Sequence, residues 1–291
     1  MGILLGLAAA LAWGVADFMA RFSTRRIGTY RTLLYMQLIG FLALSAFLTA
    51  THGWGRFAGT PRQGWAWVIL AGLLNTGSTI ALYRSFEIGV LAIVAPIAAS
   101  YPVLTVILSL ASGEVLRAAR ALGIGAALVG VVLAATSFAP VAADAPAPHH
   151  KGHLTRGVPW GIGAAIGYGV LFWLLGFRVM PVFDGFASVW VIRVTTFSTL
   201  ALLAAPVQQS ARPPDKVTRW LVGGIGIIDT AAFIANNFAL KTEQVAAASV
   251  LASLYGAVTV LLAALFLREK LEWSQWIGIV LIFAGIALIS R

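Results

Sequence analysis

Apolar runs of about twenty residues, separated by short polar stretches, recur along the whole chain. Ten such segments fall at roughly 3–20, 33–50, 65–83, 90–111, 119–138, 158–176, 186–205, 220–239, 245–267 and 273–290. A run of about 20 apolar residues crosses a bilayer as an α-helix, and the ten-residue, period-two pattern of a membrane barrel is missing. Each segment is therefore predicted to be a membrane-spanning helix, since lipid offers the backbone no hydrogen-bond partner but itself. Most connections are short, so consecutive helices are expected to be antiparallel neighbours. The longest, APVAADAPAPHHKGHLTRG, reads as a flexible strap. Its histidines 149, 150 and 153 have metal-ligating chemistry, but a solvated linker accounts for them. The first run starts at Ile3 with no charged region before it and no A-x-A-like site after it, which reads as a retained helix.

The pattern repeats itself. ASYPVLTVILSLASGEVLRAAR (99–120) is echoed by SLYGAVTVLLAALFLREKLEW (253–273). Both carry Tyr-x-x-x-Thr-Val, with Tyr101 and Thr105 answering Tyr255 and Thr259, and both run out near a glutamate, Glu114 or Glu269. GLAAALAWG (6–14) matches GIGAAIGYG (161–169), and WAWVILAGLLN (65–75) matches TRWLVGGIGIID (218–229), which sets Asn75 opposite Asp229. The expected architecture is an all-α membrane protein with ten transmembrane helices as two inverted five-helix repeats. The first repeat covers 1–138, the linker 139–157 and the second repeat 158–291. An odd number of spans per repeat makes the halves insert in opposite directions. Inverted repeats mark secondary transporters, whose sites lie near the midplane between the halves.

Composition narrows the class. Residues are 60% hydrophobic and 10% charged, against about 25% charged in a soluble domain. The net charge of +10 sits mostly between apolar runs, where Lys and Arg anchor helix ends, so nucleic acid is not the expected partner. The absence of cysteine excludes disulfides and thiolate chemistry. No H-E-x-x-H, G-x-S-x-G or Walker A sequence occurs, so neither an enzyme nor ATP-driven pumping is expected.

Ten helices, the Ser-Tyr-Pro and Leu-Tyr-Gly segments, the SGEVL and REKL endings and Trp13-Gly14 together resemble the EamA branch of the drug/metabolite transporter superfamily. The resemblance covers nearly the whole chain. It implies export of small metabolites, with amino-acid export of the YddG type as the expected activity. The chain departs from the pattern at Gly256, opposite Pro102, and at Arg268, where a glycine is usual.

Polar groups deep in a membrane are costly, about 2.5–3.5 kcal/mol for a charge on insertion scales, and usually face a partner or a cavity. Arg193 and Asp229 are the two charges deep inside the segments. They either pair with each other or meet a substrate, an Arg fork suiting a carboxylate and an Asp an ammonium. Gln37 lies at the depth of Arg193, and Asn75 matches Asp229. Ser78 is a turn beyond Asn75, and Asn236 shares the face of Asp229. Trp13 and its repeat mate Tyr168 sit well inside their helices beside glycines. With Tyr101, in a segment kinked by Pro96 and Pro102, and Trp190, these ten residues form the candidate substrate-binding set. Asp17 is expected to cap helix one at the membrane rim by pairing with Arg21. Glycines seven apart on helices five and ten (Gly123 and Gly130, Gly278 and Gly285) are expected to serve scaffold or dimer contacts.

The reading is a secondary transporter in the inner (plasma) membrane that exports amino acids or similar amphipathic zwitterions by alternating access. Its partners are a small-molecule substrate and the lipid bilayer, with coupling to a proton or to the substrate's own gradient, no nucleic acid, and either a monomer or a homodimer through helices five and ten. No cofactor is implied. Sugars, nucleotide sugars or cationic drugs are the alternative cargo; a lipid scramblase, a channel or an intramembrane enzyme is the alternative class. On orientation two arguments part. The family resemblance implies cytoplasmic termini, whereas Lys and Arg crowd the opposite face, with Arg21, Arg25, Arg26 and Arg31 in the first loop alone.

Overall fold

The apolar periodicity becomes helix throughout. A computed structural model describes residues 1–89, 91–135, 157–204, 214–267 and 273–289, and among them every regular element is helical. In order these are α1 (Gly2–Ala50), α2 (Arg62–Ile88), α3 (Leu91–Ala99), α4 (Tyr101–Ala111), α5 (Ala118–Ala135), α6 (Val158–Leu174), α7 (Gly185–Leu203), α8 (Lys216–Thr242), α9 (Val245–Ser253), α10 (Tyr255–Leu267) and α11 (Trp273–Ile289). A five-residue turn, Gly53–Phe57, follows α1, and a π-turn, Leu175–Val179, extends α6. Among the described residues five helical stretches are long and apolar enough to cross a membrane: α1, α2, α6 with its π-turn, α7 and α8. The linker histidines, Arg268 and Glu269 lie outside the described residues.

The first two apolar segments form one long element with an elbow. Arg25 and Arg26, expected in a loop, lie in helix instead, since Arg is a good helix former. The chain turns at Gly28, whose backbone (φ 81, ψ 163) is tolerated by glycine and strained for any other residue. Beyond it the second limb is held at its start by Glu87, whose Oε2 accepts from the Thr29 amide (3.2 Å) and hydroxyl (2.6 Å). A carboxylate at a helix N-terminus meets unpaired N–H groups and the positive end of the dipole. Glu114, one of the two echoing glutamates, acts likewise on a distant helix, with Oε2 accepting from the Ala246 amide of α9 at 3.1 Å. Arg120 joins this junction through Glu243 (3.5 Å) and Gln244 (3.0 Å).

The kink predicted around Pro102 is an interruption of one residue: α3 ends at Ala99 and α4 begins at Tyr101, with Ser100 between them still in helical backbone (φ -78, ψ -1). The second half breaks at the matching place, between Ser253 of α9 and Tyr255 of α10, with no proline to force it. Both breaks place a tyrosine at the start of the new helix, and the rings of Tyr101 and Tyr255 stack 6.5 Å apart.

Packing runs across the two halves. Thr105 donates to the Gly169 carbonyl (3.0 Å), and its mate Thr259 donates to the Gly14 carbonyl (3.3 Å). A Cβ on Gly14 would fall 2.5 Å from Val258, and one on Gly169 would fall 2.8 Å from Leu104. These glycines are needed because the neighbouring helix occupies the space of a side chain. The glycine faces of α5 and α11 meet within the chain, Gly123 against the Gly285 carbonyl and Gly130 against the Gly278 carbonyl. Those faces are consumed internally, so they are unavailable to a second copy.

Candidate functional site

Where α1, α2, α4, α6, α8 and α10 converge, they leave a cavity of about 40 Å³, room for roughly three water molecules. Five pairs of repeat-related positions line it: Trp13 with Tyr168, Asp17 with Phe172, Asn75 with Asp229, Thr79 with Phe233, and Tyr101 with Tyr255. Gln37, Leu82 and Tyr83 complete the wall. The aromatic rings are packed together: Phe172 lies 4.9 Å from Tyr101, 5.7 Å from Trp13 and 6.0 Å from Tyr168.

The ionic centre of the wall is a four-residue chain. Arg193 of α7 donates from Nη2 to Asp229 Oδ2 (2.5 Å) and from Nη1 to Gln37 Oε1 (2.7 Å). The other oxygen of Asp229 accepts from Trp13 Nε1 at 2.9 Å. The side chain of Arg193 is 1% exposed, that of Asp229 15%, and the guanidinium lies 5.5 Å from the Phe233 ring centroid. Arg193 therefore stands behind the wall and neutralises Asp229. Of the two readings that its type allows, the ion pair is the one the structure contains.

Neutral hydrogen bonds do the same work in the other half. Tyr168 donates its hydroxyl to Thr79 Oγ1 (2.9 Å), Thr79 donates to the Asn75 carbonyl (2.7 Å), and Asn75 Nδ2 donates to Thr196 Oγ1 (3.2 Å). Tyr101 donates to the Ser249 carbonyl (3.0 Å), whereas the buried hydroxyl of Tyr255 has no partner among the described residues.

Six of the ten candidate residues come together at the cavity: Trp13, Gln37, Asn75, Tyr101, Tyr168 and Asp229. Four stand elsewhere. Ser78 donates to the Leu74 carbonyl and fills the space that a side chain on Gly167 would need. Trp190 donates to Ser45 Oγ (2.9 Å) and packs with Phe41, Trp54 and Phe57. Arg193 is the buried counter-ion, and Asn236 is fully buried, its amide unpartnered among the described residues.

Asp17 corrects the sequence reading. It makes no ion pair with Arg21 and instead lines the cavity, 6% exposed. The reason is the elbow: helix continues to Gly28, about three turns beyond Asp17, so this residue is far from a helix end. Its carboxylate takes part in no hydrogen bond or ion pair among the described residues. Thr79, Tyr83, Phe172, Phe233 and Tyr255 were also missed. The repeat offset that pairs Asn75 with Asp229 would have pointed to Phe233 and Tyr255, and helical spacing from Asn75 to Thr79 and Tyr83.

Comparison with known proteins places this architecture. The model of the EamA-like transporter family matches residues 1–136 and 155–291, and the chain belongs to that family. An uncharacterized transporter of Archaeoglobus fulgidus is 26% identical over 254 residues, which covers 87% of this chain and 83% of the relative. A protein crystal structure superposes with a TM-score of 0.74 over 99% of this chain and 95% of its own, at 22% identity, a likeness of fold alone. The chain is accordingly a multi-pass membrane protein and a transporter of small molecules, not an enzyme.

Proposed function

We propose that the chain is a secondary transporter of ten spans, built as two inverted five-helix repeats (1–138 and 158–291), that exports small amphipathic metabolites, zwitterionic amino acids among them, by alternating access. One observation carries this reading: the cavity is lined by matching positions of both halves. A site on the axis between two inverted repeats is where rocking of one half against the other exposes a substrate to each side in turn. The equivalent cross-half contacts of Thr105 and Thr259, and the matched breaks before Tyr101 and Tyr255, support the same symmetry. Trp13, Gln37, Asn75, Tyr101, Tyr168 and Asp229 are the proposed substrate-contacting residues of the original set.

The cavity's small volume fits a state that must open to load or release cargo. The rings suit an apolar moiety, and the carboxylates of Asp17 and Asp229 suit a basic nitrogen. Counterflow in proteoliposomes, run with a panel of amino acids, sugars and organic cations, tests the proposal. Saturable exchange of amino acids or amines is the expected outcome. Non-saturating conduction, or exchange of sugars alone, would overturn it.

A further inference from the structure

The cavity wall is not balanced. It contains two carboxylates, Asp17 and Asp229, and one guanidinium reaches it. That guanidinium is bound to Asp229, so Asp17 is left with no cation among the described residues. A buried, ionised carboxylate without a counter-charge is strongly disfavoured in a low-dielectric setting. It persists only if something else supplies the positive charge. Among the described residues no cluster could hold a metal ion. A proton or an organic cation can supply it.

The surroundings of Asp17 fit an organic ammonium. Trp13, Tyr83, Tyr101, Tyr168 and Tyr255 share the cavity with it. Aromatic faces attract ammonium groups, most strongly where water is scarce. Tyr255, whose hydroxyl has no hydrogen-bond partner among the described residues, lines the same cavity. A substrate carboxylate finds no such welcome, because the two N–H groups that Arg193 directs toward the wall are already bound to Gln37 and Asp229.

We propose that Asp17 is the ion-exchange carboxylate of this cavity, binding either one proton or the ammonium group of an amine-bearing substrate but not both together. The exchange balances: the neutral Asp17 carboxyl meets R–NH3+, its O–H bond breaks, the proton leaves to the side then exposed, and a carboxylate–ammonium pair remains. When the cavity opens to the other side, a proton replaces the amine. The cavity thus reads the amine end of its cargo, and amine and proton move in opposite directions. The charged and titratable groups facing Asp17 are Asp229, with Arg193 behind it, and the tyrosines 83, 101, 168 and 255. This inference rests on the carrier reading above and sharpens its substrate class.

The test uses the purified full chain and three ligands that share one ring: phenylethylamine, phenylalanine and phenylpropionate. Calorimetry in two buffers of different ionisation enthalpy counts the protons released. Wild type is expected to bind phenylethylamine about tenfold or more tightly than phenylalanine and not to bind phenylpropionate. Amine affinity should fall as pH is lowered, by up to about tenfold per unit, with about one proton released per amine on the acid side. Asp17→Asn should lose about tenfold or more of amine affinity and all proton release, at an unchanged melting temperature. Asp17→Glu should retain the proton release, and it decides the question if Asp17→Asn does not fold. Unaltered amine affinity and proton release in folded Asp17→Asn would overturn the proposal. So would tightest binding of phenylpropionate, or no amine binding by folded wild type. Counterflow separates the two readings. Proton-linked amine binding without saturable counterflow leaves the exchange site standing and removes the carrier; saturable counterflow of a zwitterion without proton release does the reverse.

Discussion

The two halves of the cavity share a scaffold and differ in chemistry. In the first half the polar positions are amides and hydroxyls: Gln37, Asn75 and Thr79. In the second, Arg193 stands at the depth of Gln37, Asp229 at the place of Asn75 and Phe233 at the place of Thr79. The single charge that the first half contributes, Asp17, faces a phenyl ring at its repeat position, Phe172. The backbone contacts, by contrast, are nearly duplicated, down to threonines that donate to equivalent glycine carbonyls. Packing constrains helices that must cross closely, and it does so equally at both sites. A small asymmetric substrate imposes no such equality on the wall.

The strongest break of the comparison is to remove the ionic chain of the second half. Arg193→Ala leaves Asp229 buried without its cation and is expected to cost about 3–5 kcal/mol in detergent melting, with transport lost. Adding Asp229→Asn should return most of that stability, since the remaining groups are then neutral, as Gln37 and Asn75 already are. An Arg193→Ala protein that melts like wild type would show that the ion pair does no structural work.

The duplicated packing can be broken on either side. Gly14→Ala and Gly169→Ala should each cost about 1–3 kcal/mol by overpacking. The loss should be larger at Gly14, where the added carbon falls 2.5 Å from Val258, than at Gly169, where it falls 2.8 Å from Leu104. Equal and negligible shifts in melting would mean that the helices part freely at these crossings.

The smallest difference lies at two helix starts. α2 begins after Pro61, which has no side-chain cap, whereas at the matching place α8 begins after Asp215, which accepts from the Val217 and Thr218 amides. The Thr218 hydroxyl, first among the causes, and these amides hold the Asp215 carboxyl below its usual pKa. A depressed folded value means that the stabilisation is present above the unfolded pKa and is lost as pH falls through the folded one. Asp215→Ala should therefore melt slightly below wild type at neutral pH, by less than either glycine variant, and the two curves should converge in acid.

Much of this was legible in the sequence, and the failures are local. The helices follow from apolar run length, and the matching of Asn75 with Asp229 from residue-by-residue similarity. The elbow at Gly28 was not legible, because Arg25 and Arg26 are read as loop when charge is taken as a boundary. That error carried Asp17 to the membrane rim and out of the candidate set. Asn236 shares the helix face of Asp229, yet seven residues along that face it is buried outside the cavity wall, because which stretch of a face meets the cavity is fixed by neighbours from distant segments. Gly256, standing where the first half has Pro102, likewise gave no hint that α9 and α10 part as α3 and α4 do; Tyr255 marks the place only once Tyr101 is seen in space.

The hydrogen bond from Thr259 to Gly14 joins residues 245 positions apart. A ribosome therefore delivers the first helix to the bilayer long before its seat exists. Until α8 and α10 emerge, Trp13 lacks Asp229, Gly14 lacks Val258, and Asp17 has no cavity in which to hide. The early chain must wait in lipid with its polar stripe shielded by water, headgroups or the insertion machinery. Biogenesis of this protein is thus a late closure, in which the last third of the chain completes a site that the first twenty residues began.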